Sequence, residues 1–170
     1  KIIIVPGDRD WGNSGERGWN DVRKLEDYIK SLELKNVKWA VKDGCPGPKT
    51  YELGDLLVLI TLNTQWWNHP YEKPKPSDGD CKISTTDDFK EELEDIINDN
   101  PTKNILIVGH YPVISYGEYG GHLPFYKHIF PLTDLVKGLY IPLPFVGSFY
   151  PAYRESIGTV MDINNERYEE

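Results

Sequence analysis

The order of apolar and polar segments predicts an α/β fold with a central sheet. Ile2-Ile3-Ile4-Val5, Leu56–Leu62 and Ile105–Val108 are short runs of β-forming residues bounded by turn signals, as buried strands require. Two segments between them carry apolar residues at helical spacing. The first and third runs each open into a polar, glycine-bearing motif, and ligands in open α/β sheets sit beyond the carboxyl ends of strands.

The first strand leads into residues 6–20, a glycine- and asparagine-rich loop too long for a simple connector. A helix is expected from Asn20 to Leu34, with Asn20 as its cap and Val22, Leu25, Tyr28, Ile29 and Leu32 on one face. Val37–Val41 reads as a strand, and Gly44-Cys45-Pro46-Gly47-Pro48 as a rigid turn. After Leu62 the chain passes through Asn63-Thr64-Gln65-Trp66-Trp67-Asn68-His69-Pro70 into a polar, proline-rich loop. Thr85 or Thr86 caps a second helix, whose acidic first turn suits its positive end and whose apolar face is Phe89, Leu93, Ile96 and Ile97. Beyond Pro112, residues Leu123–Lys137 read as short helix or turn and Tyr140–Pro144 as extended. Tyr150–Arg154 reads as loop and Thr159–Ile163 as a last short strand. The order strand, helix, strand, strand, helix, strand is that of an α/β domain.

A chain of 170 residues suits a single domain, 1–170. Hydrophobic residues make up 39% and charged residues 27%, ordinary values for a soluble globular protein. The formal net charge of -8, with no Lys/Arg run, argues against a nucleic-acid partner. No apolar stretch approaches a membrane span, so no direct membrane insertion is expected. Cys45 and Cys81 lie in loop-like surroundings. Two readings stay open for them: unrelated thiols, or a disulfide that pins two long loops and implies an oxidising compartment. No CxxC spacing points to a cysteine metal site.

Asp8 and Asp10 flank Arg9 just past the first strand. Such carboxylates suit hard divalent ions and also Zn, Mn or Fe, or simply cap an Asx turn. His110, after Ile105–Val108, could reach the same ion if the two strands are neighbours; otherwise it is a hydrogen-bonded loop histidine. His122, in a glycine-rich loop, is a second candidate for contacting substrate or metal. Trp66 and Trp67 are candidates for a pocket wall, since neighbours on a continuing strand point to opposite faces. His69 follows them, and His128 receives no role. Trp11, Trp19 and Tyr28 read as core. Neither a dinucleotide fingerprint nor a phosphate loop occurs.

Pro6-Gly7-Asp8-Arg9-Asp10-Trp11, Gly44-Cys45-Pro46-Gly47-Pro48, Thr64-Gln65-Trp66-Trp67 and Gly109-His110-Tyr111-Pro112 follow one another in a recognisable order. Gly117, Gly120-Gly121, His128-Ile129-Phe130-Pro131-Leu132-Thr133, Tyr140-Ile141-Pro142-Leu143-Pro144 and Gly147-Ser148 continue it. With these motifs the chain resembles the middle part of a calcineurin-like metallophosphoesterase, in the envelope-associated branch known from Bacteroides-type bacteria. The resemblance implies a layered α/β/β/α sandwich with a mostly parallel central sheet. It also implies a divalent metal pair (Mn, Fe or Zn) that activates water against a small phosphorylated substrate in the periplasm or cell envelope.

On that resemblance Asp8 and His110 are metal ligands, with Asp8 where the family usually has Asn. Arg9 replaces a family His; it can clamp phosphate but cannot serve as a general acid near neutral pH. Tyr119 replaces a common His in the glycine-rich loop and joins the substrate pocket, and His122 is placed to take over part of that role. The family's Asp-x-His and Gly-Asp motifs would lie upstream of Lys1 and its final Gly-His-x-His after Glu170; neither an Asp-x-His nor a Gly-His-x-His occurs in these residues. The expectation is therefore an excised piece of a larger protein with further domains, or a degenerate relative. Two functions follow: a phosphoester hydrolase to which this chain supplies part of the site, or a non-catalytic binding or scaffold domain of the envelope.

Overall fold

The computed structural model describes residues 2–75, 81–83, 85–117, 120, 122–133, 136, 138–158 and 162–163. The chain divides into two compact units, Lys1–Tyr111 and Pro112–Glu170. Both helices and strands are present, as an α/β sequence requires.

In the first unit the described strands form two small sheets where a single central one was expected. β1 (Ile2–Ile4) pairs parallel with β2 (Val37–Trp39), the helix α1 (Gly18–Ser31) lying between them in sequence. β4 (Leu57–Thr61) lies at the centre of the other sheet. The strand β3 (Lys49–Glu52), not foreseen from the sequence, pairs antiparallel with it, and β5 (Asn104–Val108) pairs parallel. Lys49–Glu52 has only one large apolar residue in four, so no buried pattern marks it; it forms because β4 offers an edge. Thr61 stands opposite Val108, so β4 and β5 end level and their following turns emerge side by side.

α1 begins at Gly18, with no side-chain cap, so Asn20 is inside the helix rather than at its start. Val22 and Glu26 form its buried face, whereas Tyr28 and Leu32 are exposed. The sequence reading failed here because it ranked positions by apolarity. Glu26, 2% exposed, accepts the Asp43 N–H (2.7 Å) and meets Lys30 Nζ (2.6 Å), so a carboxylate holds the place expected of an apolar side chain. The next helical segment, α2 (Gln65–Asn68), is a single turn. α3 (Thr86–Asn98) has Thr85 as its cap. The Thr85 hydroxyl accepts the Asp88 N–H, and the Asp88 carboxylate accepts the Thr85 N–H, a reciprocal box that satisfies two donors at the helix start.

Two apolar clusters hold the unit. Trp11, Val22 and Trp66 form one, with Trp19, Trp39 and Trp67 packed against it. Ala40, Val41, Cys45 and Cys81 form the other, flanked by Ile3 and Val5. Cys45 and Cys81 are joined by a disulfide, which settles the question left open by the sequence.

The second unit holds α4 (Phe125–Ile129) and α5 (Phe149–Ser156), which come close at Gly147. The Gly147 N–H donates to Leu143 O, and a Cβ on Gly147 would lie 2.3 Å from the His128 carbonyl oxygen. Tyr150–Arg154, read from sequence as loop, lies inside α5. Arg154 meets the fully buried Asp162 through both Nε and Nη2, the two-pronged geometry that makes such pairs strong. Of the strand expected at Thr159–Ile163, residues 159–161 lie outside the described residues.

The disulfide closes a separation of 36 residues, which in the chain-entropy model stabilises the fold by about 4 kcal/mol. Cys45→Ala/Cys81→Ala is expected to lose that amount in urea denaturation; a loss below about 1 kcal/mol would mean the two loops are already pinned without the bridge.

Candidate functional site

The turn after β1 is built by its own aspartates. Asp10 Oδ2 accepts the Gly7 N–H at 2.8 Å, and Asp8 Oδ1 accepts the Arg9 N–H at 2.8 Å. Both carboxylates are thus engaged in the turn, each by one backbone N–H. The chain continues through Gly12, Asn13 and Ser14, with φ of 59°, 52° and 61°. Gly and Asn accept this left-handed backbone at least cost. The run delivers Ser14 inward, where Gln65 Nε2 donates to its hydroxyl at 2.7 Å.

The turn after β5 brings His110 to the same place. His110 Nε2 lies 3.2 Å from Asp8 Oδ1, an ion pair whenever the imidazole is protonated. The Asp8 side chain is 14% exposed and that of His110 30%, and the Nε2 that approaches Asp8 is itself buried, so the pair is sheltered from solvent. The sequence reading tied this meeting to neighbouring strands. β1 and β5 belong to different sheets, and it is the turns beyond them that converge.

Two glycines make room. A Cβ at Gly7 would stand 2.6 Å from His110 Nδ1 and 2.8 Å from Cγ and Cε1, so the imidazole lies directly on this residue. A Cβ at Gly109 would stand 2.7 Å from Thr64 Cγ2. Thr64, from the turn after β4, also accepts the Tyr111 N–H at 2.9 Å. Asn63 and Thr64 were not singled out from the sequence as site residues. The signal was there: they follow an apolar run, as Asp8 and His110 do.

The remaining candidates fall elsewhere. Arg9 is exposed, its backbone N–H on Asp8. Trp66 and Trp67 lie on the helical turn α2 rather than a continuing strand. Trp66 is 6% exposed, donates its Nε1–H to Pro74 O at 3.3 Å and carries Lys73 Nζ over its ring at 4.2 Å. Trp67 is half-buried and meets Phe89 edge-on at 4.7 Å. Both tryptophans are occupied in packing rather than set out as an open wall. His122 belongs to the second unit, exposed, with Nδ1 3.7 Å from Glu155 Oε1 and its ring stacked on Tyr116. Tyr119 lies outside the described residues. Among the described residues no three His, Cys, Asp or Glu side chains converge as a metal site would require. No family model matches the chain, and no curated protein or solved structure is significantly similar to it.

His69 is fully buried, its ring 4.8 Å from that of Trp11 and its edge against Gly18. Burial, with help from the Lys73 charge, lowers its pKa to about 4. His69 is neutral at physiological pH and is held as a packing group.

Two outcomes are expected. Gly7→Ala forces the imidazole off the turn, at a cost of about 1–3 kcal/mol; a crystal structure of the variant with Asp8 and His110 still in contact would contradict the close-approach argument. For His69 the folded pKa lies below the unfolded value of 6.5, so the unfolded state binds more protons between them. Its stabilising contribution is present above pH 6.5 and is lost as pH falls through about 4. Denaturation curves across this window should show a shallower acid loss for His69→Gln than for the wild type.

Proposed function

We propose that this chain forms part of the catalytic domain of a metal-dependent phosphoester hydrolase, on a layered α/β/β/α sandwich of the calcineurin-like type. The observation that carries the reading is the approach of Asp8 and His110 to 3.2 Å from sequence positions a hundred residues apart. An anionic oxygen and an imidazole nitrogen form a donor set suited to Zn, Mn or Fe. Two donors fit a share of one metal centre and fall short of a complete pair, so this chain supplies one part of a site whose other ligands lie elsewhere in the protein. When bound, the metal pair supplies an activated water and charge stabilisation of an in-line displacement.

The chain's own residues divide the remaining work. Asp8 and His110 would hold the cation. Arg9, exposed on the same turn, offers a planar fork of donors to phosphoryl oxygens. It carries no proton to the leaving group, because its pKa lies far above neutrality. The Cys45–Cys81 disulfide supports a working place outside the reducing cytoplasm, in the periplasm or cell envelope.

A second reading, a non-catalytic binding domain on the same fold, draws on one specific observation. Asp8 Oδ1 and His110 Nε2 lie within ion-pair distance of one another, so the pair can compensate its own charge, when the imidazole is protonated, without a cation. Titration with Mn²⁺ alone separates the two. Paramagnetic broadening centred on the Asp8 and His110 resonances supports the hydrolase reading; its absence supports the second. The 170-residue chain by itself is expected to release little phosphate from an aryl phosphate, and strong metal-dependent turnover would contradict the partial site.

A further inference from the structure

We propose that Thr64 is the positioning residue for His110; as a statement about metal binding this rests on the hydrolase reading, and as a statement about geometry it does not. Thr64 is 8% exposed and stands just past β4, beside the turn that follows β5. It grips that turn with both branches of its side chain. Oγ1 accepts the N–H of Tyr111, the residue after His110, at 2.9 Å. Cγ2 fills the space where a Cβ on Gly109, the residue before His110, would stand at 2.7 Å. The two neighbours of His110 are thus fixed by one side chain, one through a hydrogen bond and the other through contact.

The direction of His110 follows from this grip. A three-residue turn held at its first and third members leaves the middle one little freedom except about its own χ angles. Gly7 then limits those, because the ring lies on the glycine with three atoms within 2.8 Å of the Cβ position. Thr64 itself has a stable platform. Its neighbour Asn63 is fully buried, with Nδ2 donating to Gly44 O at 2.8 Å and Cys45 O at 3.1 Å, and with its N–H donating to Pro46 O. Thr64 touches no cation in this scheme. It acts through the backbone on either side of the ligand, as hydrogen-bonded supports of metal ligands do.

The residue pattern is specific. Valine has the same shape but cannot accept the Tyr111 N–H, which would leave a buried donor unpaired. Serine keeps the acceptor and gives up only the methyl contact with Gly109.

The test uses Thr64→Val and Thr64→Ser in the chain as it stands, with two readouts. The first is the Gly7 Hα that occupies the Cβ direction and so faces the imidazole; its ring-current shift reports the seating of His110 without any metal. The second is the Mn²⁺ concentration needed to broaden the Asp8 and His110 resonances. Thr64→Val is expected to return the Gly7 Hα shift toward an unperturbed value and to raise the Mn²⁺ requirement about tenfold. Thr64→Ser should retain both. Folded Thr64→Val with the wild-type Gly7 shift and Mn²⁺ dependence overturns the proposal. If the wild type shows no Mn²⁺ broadening, the hydrolase reading fails, and the Gly7 shift alone decides the positioning role. If Thr64→Val does not fold, amide exchange in the wild type decides: protection of the Tyr111 N–H supports the grip, and exchange at the rate of an exposed loop overturns it.

Discussion

The first unit depends on one buried amide. Asn63 lies at the end of the central strand β4 and spends both its side-chain N–H groups and its backbone N–H on the carbonyls of Gly44, Cys45 and Pro46. These carbonyls belong to an irregular loop with no ladder of its own. In a low-dielectric interior each would cost about 1–3 kcal/mol if left unpaired. Asn63 therefore joins the second sheet to the loop that the disulfide ties down, and it does so one residue before Thr64 and three before Trp66. Strand end, covalent staple and apolar cluster meet within this short segment.

The register of the sheet turns that anchor into a site. Because Thr61 and Val108 stand opposite, the turns after β4 and β5 leave the sheet at the same height. The turn after β1 comes from another sheet and is brought in by the Trp11 and Val22 cluster. Tyr51 helps hold the two sheets together, its hydroxyl donating to Ala40 O at 3.1 Å. Three turns then share a small volume, two from the paired strands β4 and β5 and the third from a strand of the other sheet. Close approach there tolerates no Cβ at Gly7 or Gly109, which is why glycine precedes both Asp8 and His110.

What could be read from the sequence followed the strength of the local signal. β1, β4 and β5 were legible because uninterrupted apolar β-formers have few alternatives, and α3 because its threonine cap and acidic first turn agree with its apolar period. β3 was not legible, since a polar strand beside a central one is selected by its partner. The buried role of Glu26 was hidden for a similar reason: its acceptor duty is toward Asp43, a distant residue in sequence. The strand-end rule singles out Asp8 and His110, which lie 3.2 Å apart. Their meeting needed the turns, which no periodicity describes. Thr64 escaped notice because a hydroxyl that accepts one backbone N–H looks in sequence like any other threonine. Trp66 and Trp67 lie on the helical turn α2, where alternation along a strand does not apply and no periodicity in so short a run signals the change.

β5 is also the outer strand of its sheet among the described residues, and Leu106 and Ile107 are exposed at 49% and 47%. Consecutive strand residues point to opposite faces, so apolar surface flanks this border above and below. A border of that kind, with its amides and carbonyls facing outward, is a template on which a further strand can grow. The strand that delivers His110 at its end thus also carries, among the described residues, an unpaired apolar border along its length.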